Sequence, residues 1–143
     1  MKVLVPDASI ILKWLLPGPE EEDSDRALQI RDAFVLGKNS LHVPSLWYFE
    51  VGNTLARKFP EYAEPLLETV MDLSMEENSI RLETLKTTLA LTQRFDVTFY
   101  DASYHAVAIN RGGTFITADR KYFSKAKAAG SIVLLQDWPA DGL

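Results

Sequence analysis

The chain has 143 residues, 47% hydrophobic and 24% charged, with 20 acidic side chains against 15 basic ones and a formal charge of −5. That length suits one domain over residues 1–143, and the balance excludes a disordered or collagen-like chain. The absence of cysteine excludes a disulfide scaffold, a thiolate zinc site and a thiol nucleophile, and the acidic balance leaves any grip on nucleic acid to a local basic patch.

Val3-Leu4-Val5 is a continuous apolar run, the pattern of a strand buried on both faces. Asp7 ends that run before a secretory signal could form, and no window reaches the roughly 18 uncharged apolar residues of a membrane helix. A soluble, cytoplasmic chain is therefore expected. Ile10 to Leu16 reads as a short helix stopped by Pro17-Gly18-Pro19, and Glu20, Glu21, Glu22, Asp23 and Asp25 read as an acidic loop. A helix follows from Ala27 to Leu36, ended by Gly37. Leu41-His42-Val43 alternates like a strand, and Pro44-Ser45 opens a helix from Leu46 to Phe59. After Pro60 comes a helix from Tyr62 to Met75, then a short strand at Ser79-Ile80-Arg81-Leu82 and a helix from Thr84 to Phe95. Thr98 to Arg111 is the next helix, closed by Gly112-Gly113 before a strand at Thr114–Thr117. Asp119 to Ala129 reads as a helix ended by Gly130, and Ile132 to Leu135 as the last strand. Short apolar strands alternating with helices predict an α/β fold with a mostly parallel central sheet.

In such sheets ligands bind beyond the carboxyl ends of the strands. Asp7 lies at the end of the first strand and Asp119 at the end of the Thr114–Thr117 strand. Asp101 sits in the first turn of the preceding helix, which climbs about 15 Å. The strand after Gly112-Gly113 returns about 13 Å, so Asp101 and Asp119 finish near one edge. Glu50, just over one turn into the helix after Leu41–Val43, projects from the same edge if that strand is parallel to the first. Each acid also has a local explanation. Asp7 and Asp119 suit helix N-caps, Thr98-Phe99-Tyr100-Asp101 matches a capping box, and Glu50 suits an exposed helix position. Taken together, however, several strand–helix junctions carry an acid where a ligand belongs. Clustered carboxylates repel, and a hard divalent cation, Mg²⁺ or Mn²⁺, relieves that repulsion through oxygen ligands alone. Such a centre suits phosphodiester hydrolysis.

The segments VPDASIILKW, SLWYFEVGNTL, TFYDASYHAVAI and TFITADRKYF carry these acids, in an order and spacing that resemble the PIN-domain family (PilT N-terminus). Within it they are most similar to VapC-type ribonuclease toxins of toxin–antitoxin pairs. The resemblance covers essentially the whole chain. It implies a three-layer α/β/α sandwich and a metal-dependent endoribonuclease leaving a 5′-phosphate and a 3′-hydroxyl. It also implies a homodimer and a small antitoxin that covers the acidic groove. Carried over by position, Asp7 and Asp101 would be the main metal ligands, and Asp119 would complete the set directly or through water. Glu50 would help hold the metal or orient the attacking water. Ser9, Asn53 and Thr117 would support these acids from behind. Two departures stand out: Pro6 replaces a more usual aliphatic residue, and the loop from Glu20 to Asp25 is unusually acidic.

Arg120, Lys121 and Lys125, with Lys127, put positive charge just after Asp119 and suit a grip on RNA phosphates. A solvated helix face has the same composition. Lys13, Arg57 and Lys58 are further candidates. His105 follows Asp101 by four residues, but a hard oxygen site does not need it, and a core histidine is expected there. His42 is expected to be structural, and Trp14, Trp47, Tyr48 and Tyr104 to be core or dimer contacts. No G-x-S-x-G elbow or glycine-rich phosphate loop occurs. Ser9 stands where a haloacid-dehalogenase-like phosphatase would need a second aspartate, and a receiver domain would need an acid pair near the first strand. The competing reading is a non-catalytic metal- or partner-binding module of the same fold.

Overall fold

Parallel strands cannot be joined by a tight turn, so each must be followed by a crossover that spans the sheet. In the computed structural model, which describes residues 1–16 and 22–139, helices supply those crossovers. The strands are β1 (Lys2–Pro6), β2 (Asn39–Pro44), β3 (Glu76–Asn78), β4 (Thr114–Thr117) and β5 (Ile132–Leu134). They form one sheet, β3-β2-β1-β4-β5, in which every neighbouring pair is parallel. The helices are α1 (Ala8–Leu15), α2 (Ser24–Val35), α3 (Trp47–Lys58), α4 (Ala63–Met71), α5 (Leu82–Phe95), α6 (Phe99–Arg111) and α7 (Arg120–Ala126). Helices α1 to α4 pack on one another, while α5 packs on α6 and α7, and α6 crosses β1, β2 and β4. The result is a three-layer α/β/α sandwich around a parallel sheet, as expected.

Burial along β1 shows why the middle layer must be covered twice. Leu4 and Val5 are consecutive, so they point to opposite faces of the sheet, yet both are fully buried. Leu41, Val43, Phe115 and Ile116 continue the core through β2 and β4. The third strand departs from expectation. It is Glu76–Asn78, not Ser79–Leu82, and it pairs with His42 to Pro44 of β2. Ile80 is exposed and Leu82 opens α5. An edge strand needs only backbone partners on one side, so charged residues serve there as well as apolar ones. Within the acidic stretch, Asp23 and Asp25 belong to the start of α2 rather than to a loop, while Pro17-Gly18-Pro19, Glu20 and Glu21 lie outside the described residues.

The α6–β4 turn decides how closely α6 lies over β1. Gly112 ends α6 in the left-handed region at φ 65°, which glycine adopts without a steric cost. Gly113 is constrained differently. A Cβ there would lie 2.5 Å from the Val3 carbonyl oxygen and 2.7 Å from Val3 Cγ1. Gly113→Ala is accordingly expected to cost about 1–3 kcal/mol of stability through overpacking, read as a lower urea midpoint at unchanged slope. An unaltered midpoint would show that the turn and β1 can separate freely.

Candidate active site

The sheet order places β1 beside β4, although β1 leads to β2 on one side and β4 leads to β5 on the other. The two following connections leave in opposite directions, opening a crevice at the carboxyl ends of β1 and β4. Asp7 follows β1 directly and Asp119 lies two residues beyond β4. Pro6 stands opposite Ile116 in the register, so the next pair, Asp7 and Thr117, is level.

Asp7 is held from both sides. As N-cap of α1, its Oδ1 accepts the backbone N–H groups of Ser9 at 3.0 Å and Ile10 at 3.3 Å. The Ser9 hydroxyl donates to Oδ1, and the Thr117 hydroxyl donates to Oδ2. Each hydroxyl also accepts a backbone N–H from the β4–α7 connection, Ala118 to Ser9 Oγ at 3.1 Å and Asp119 to Thr117 Oγ1 at 3.0 Å. A hydroxyl has one proton and two lone pairs. With a lone pair occupied by the N–H, its proton stays aimed at the carboxylate.

The other acids are positioned by helix starts. Asp119 caps α7, its Oδ1 accepting the Tyr122 N–H at 3.0 Å. Thr98 caps α6 by accepting the Asp101 N–H at 3.1 Å, which sets Asp101 in the first turn. Glu50 occupies the first turn of α3, whose cap residue Leu46 offers no side-chain bond. The local capping roles are thus real for Asp7, Asp119 and Thr98, and they set the same acids at the crevice.

Burial, before anything else, raises the Asp7 carboxyl to about 6; the Ser9 and Thr117 hydroxyls and the Ile10 N–H oppose this, and the Asp101 charge adds to it. Burial also raises Glu50, against the Tyr104 hydroxyl and with Asp101. Asp101 is raised by burial, against the Thr98 hydroxyl and with Asp119. Asp101 is therefore the common electrostatic neighbour of the other three. Among the described residues none of the four forms an ion pair with a lysine or arginine. Glu50 Oε1 is buried without a hydrogen-bond partner, and so is the Tyr104 hydroxyl. As they stand, no three acidic or histidine side chains among the described residues are close enough together to hold one ion.

The remaining candidates divide. Ser9 and Thr117 touch Asp7 directly, whereas Asn53 is exposed on α3 and makes no hydrogen bond among the described residues. A cavity of about 160 Å³ is lined by Asp101, Asp119, Lys121 and Lys125, among others. Lys121 has no ion-pair partner among the described residues. Arg120 pairs with Glu22 at 3.0 Å, and Lys125 donates to the Asp96 carbonyl at 2.9 Å. His105 is a buried core residue, its Nδ1 2.9 Å from the Tyr122 hydroxyl and its Nε2 2.7 Å from the Gly130 carbonyl oxygen. His42 is buried in β2 beside Ser40. Tyr104 does belong to the core, as expected, but its hydroxyl borders the acids. Its i,i+3 spacing from Asp101, which puts the two on one helix face, was the available signal.

A family model described as PIN domain matches residues 4–129. Ribonuclease VapC3 of Pyrobaculum aerophilum is 33% identical over 133 residues, covering 87% of this chain and 95% of its own. Two solved structures share the fold. A toxin–antitoxin complex from Klebsiella pneumoniae matches at TM-score 0.65 and 20% identity, covering 92% of this chain and 97% of its own. VapBC2 from Rickettsia felis, bound to a DNA fragment from its promoter, matches at TM-score 0.67 and 13% identity, covering 92% and 96%.

The buried Asp7 has a measurable signature. A carboxyl whose folded value of about 6 lies above its ordinary 3.8 holds more protons folded than unfolded between those values. Its favourable contribution is complete below about pH 4 and is lost as pH rises through about 6. In chelator, Asp7→Asn should therefore gain stability over the parent chain as pH rises from 4 to 7, by about 3 kcal/mol. Urea melts across that range measure the gap, and a constant gap would refute the burial of an ionisable Asp7.

Proposed function

The chain belongs to the PIN domain family, and on that footing we propose that it is an endoribonuclease that hydrolyses RNA phosphodiester bonds with bound Mg²⁺ or Mn²⁺. The observation that carries this reading is the group of four carboxylates that four separate helix starts orient toward one edge, none of them ion-paired with a lysine or arginine among the described residues. In chemical type, though not in spacing as the side chains stand, the donor set suits a hard dication. It is oxygen only, Glu50 Oε1 is buried and unpaired, and Asp7 is raised by burial and by a neighbouring acid. Asp7, Asp101 and Asp119 would hold the ion. When bound, it supplies polarisation of a phosphoryl oxygen and a more acidic water.

The chain's own groups supply the rest. Ser9 and Thr117 keep Asp7 ionised and oriented by donating to it. Glu50 would take the proton of the attacking water as its oxygen adds to phosphorus and the P–O3′ bond breaks; the departing 3′-oxygen takes a proton from solvent, which gives a 5′-phosphate and a 3′-hydroxyl. Asn53, one turn on from Glu50 and exposed, supports the same side of α3. Lys121, with Arg120 and Lys125 beside it, binds substrate phosphate at the cavity that Asp101 and Asp119 share.

We further propose that the protein is the toxin of a toxin–antitoxin pair in the cytoplasm, held inactive by a small antitoxin. Support comes from the toxin–antitoxin complexes that share its fold. A homodimer is supported by α5, which exposes Leu82, Leu85 and Leu89 at helical spacing beside exposed Ile80. Among the described residues no helix is long and apolar enough to cross a membrane.

Purified protein should cleave RNA with Mn²⁺ and lose that activity in chelator. Asp7→Asn and Asp101→Asn are each expected to abolish cleavage with circular dichroism unchanged, and Thr117→Val to lose about 10–100-fold. Full activity of Asp101→Asn would sink the assignment, and RNA binding without cleavage in the parent protein would favour a non-catalytic module. Lys121→Ala should weaken RNA binding and reduce the slope of log affinity against log salt by about one. A slope equal to that of the parent would leave Lys121 as a solvated surface charge.

A further inference from the structure

Tyr104 has an aromatic ring that packing explains and a hydroxyl that packing does not. The residue is 1% exposed, and its ring lies against Phe115 with centroids 6.3 Å apart and planes inclined by 15°. Phenylalanine would fill that space equally well. The hydroxyl is buried with no hydrogen-bond partner, a condition that ordinarily destabilises a fold. Beside it stands the Glu50 carboxyl, whose Oε1 is buried and unpaired as well. A buried donor and a buried acceptor, each without a partner, thus face one another at the edge of the sheet.

The other three acids show what Glu50 lacks. Asp7 accepts two hydroxyls and two backbone N–H groups, Asp119 accepts the Tyr122 N–H, and Asp101 has Thr98 at its helix cap. Glu50 accepts no side-chain or capping bond among those described, because α3 begins at Leu46 without a polar cap. Among the described residues the hydroxyl that stands beside it is that of Tyr104, which reaches it from α6 in the opposite helix layer.

We propose that the Tyr104 hydroxyl donates a hydrogen bond to the Glu50 carboxylate in the working site, and that Tyr104 is a positioning residue for this acid. Its burial excludes contact with substrate, so it acts only through Glu50. The bond joins α6 to α3 across the crevice and gives Glu50 the fixed direction that caps give the other acids. The inference rests on the nuclease reading for the role of Glu50, but the pair itself does not.

Tyr104→Phe removes the hydroxyl and leaves the packing. In Mn²⁺-loaded protein it is expected to lower kcat on an RNA oligonucleotide by about 10–100-fold, the range for a hydrogen bond to a charged group, with KM and Mn²⁺ affinity changed less than about twofold. It should also lower the urea midpoint in Mn²⁺, and do so in the parent chain but not in Glu50→Ala. An unchanged kcat, or equal midpoint shifts with and without Glu50, would overturn the proposal. If the parent protein cleaves no RNA with any divalent ion, the nuclease reading fails. The urea comparison with Glu50→Ala then still decides whether Tyr104 and Glu50 are bonded.

Discussion

The carboxyl group of Asp7, buried where β1 meets β4, is the point on which the site depends. Two hydroxyls donate to it, one from the helix it caps and one from the neighbouring strand, and both are steered by backbone N–H groups of the β4–α7 connection. That connection also carries Asp119. The same few atoms therefore fix Asp7, seat the start of α7 and place a second acid beside the first. Losing either hydroxyl would free a buried carboxylate and loosen the segment that bears its neighbour.

A cluster of carboxylates with no basic partner among the described residues needs some other source of positive potential. The fold provides one in its helix starts. Asp7 and Asp119 cap α1 and α7, and Glu50 and Asp101 lie in the first turns of α3 and α6. Four positive helix ends therefore converge on one edge, each favouring negative charge by roughly 0.3–1 kcal/mol. That is too little to cancel burial and mutual repulsion, as the raised Asp7, Glu50 and Asp101 carboxyls show. The remaining unfavourable energy is what a hard cation would relieve, and it ties the proposed chemistry to the architecture. The surrounding surface is organised in the same sense. Arg120 and Lys125 are partly neutralised by Glu22 and Asp96, while Lys121 stands at the rim of the acidic cavity.

Much of this was legible residue by residue. Parallel strands followed from continuous apolar runs, and the capping roles of Asp7, Thr98 and Asp119 followed from residue type just before helical spacing begins. Ser79–Leu82 misled because apolar alternation marks a strand only when a face is covered, and here Ile80 stays exposed. Tyr104 was legible as a core residue, and its i,i+3 spacing from Asp101 put it on that acid's helix face, but nothing in the sequence says where its hydroxyl ends. The bond from Thr117 to Asp7 was equally out of reach, joining residues 110 positions apart.

What the sequence by itself determined is the set of local arrangements, the helix starts and the acids they orient, because caps and turns are made by groups two to four residues apart. The tertiary structure alone decided which side chains meet at the edge that those starts share. The strand order that puts β1 against β4 is set by burying apolar faces from the whole chain at once. No short-range pattern contains that choice, so the meeting of Asp7 with Thr117, and of Glu50 with Tyr104, exists only in the assembled sheet.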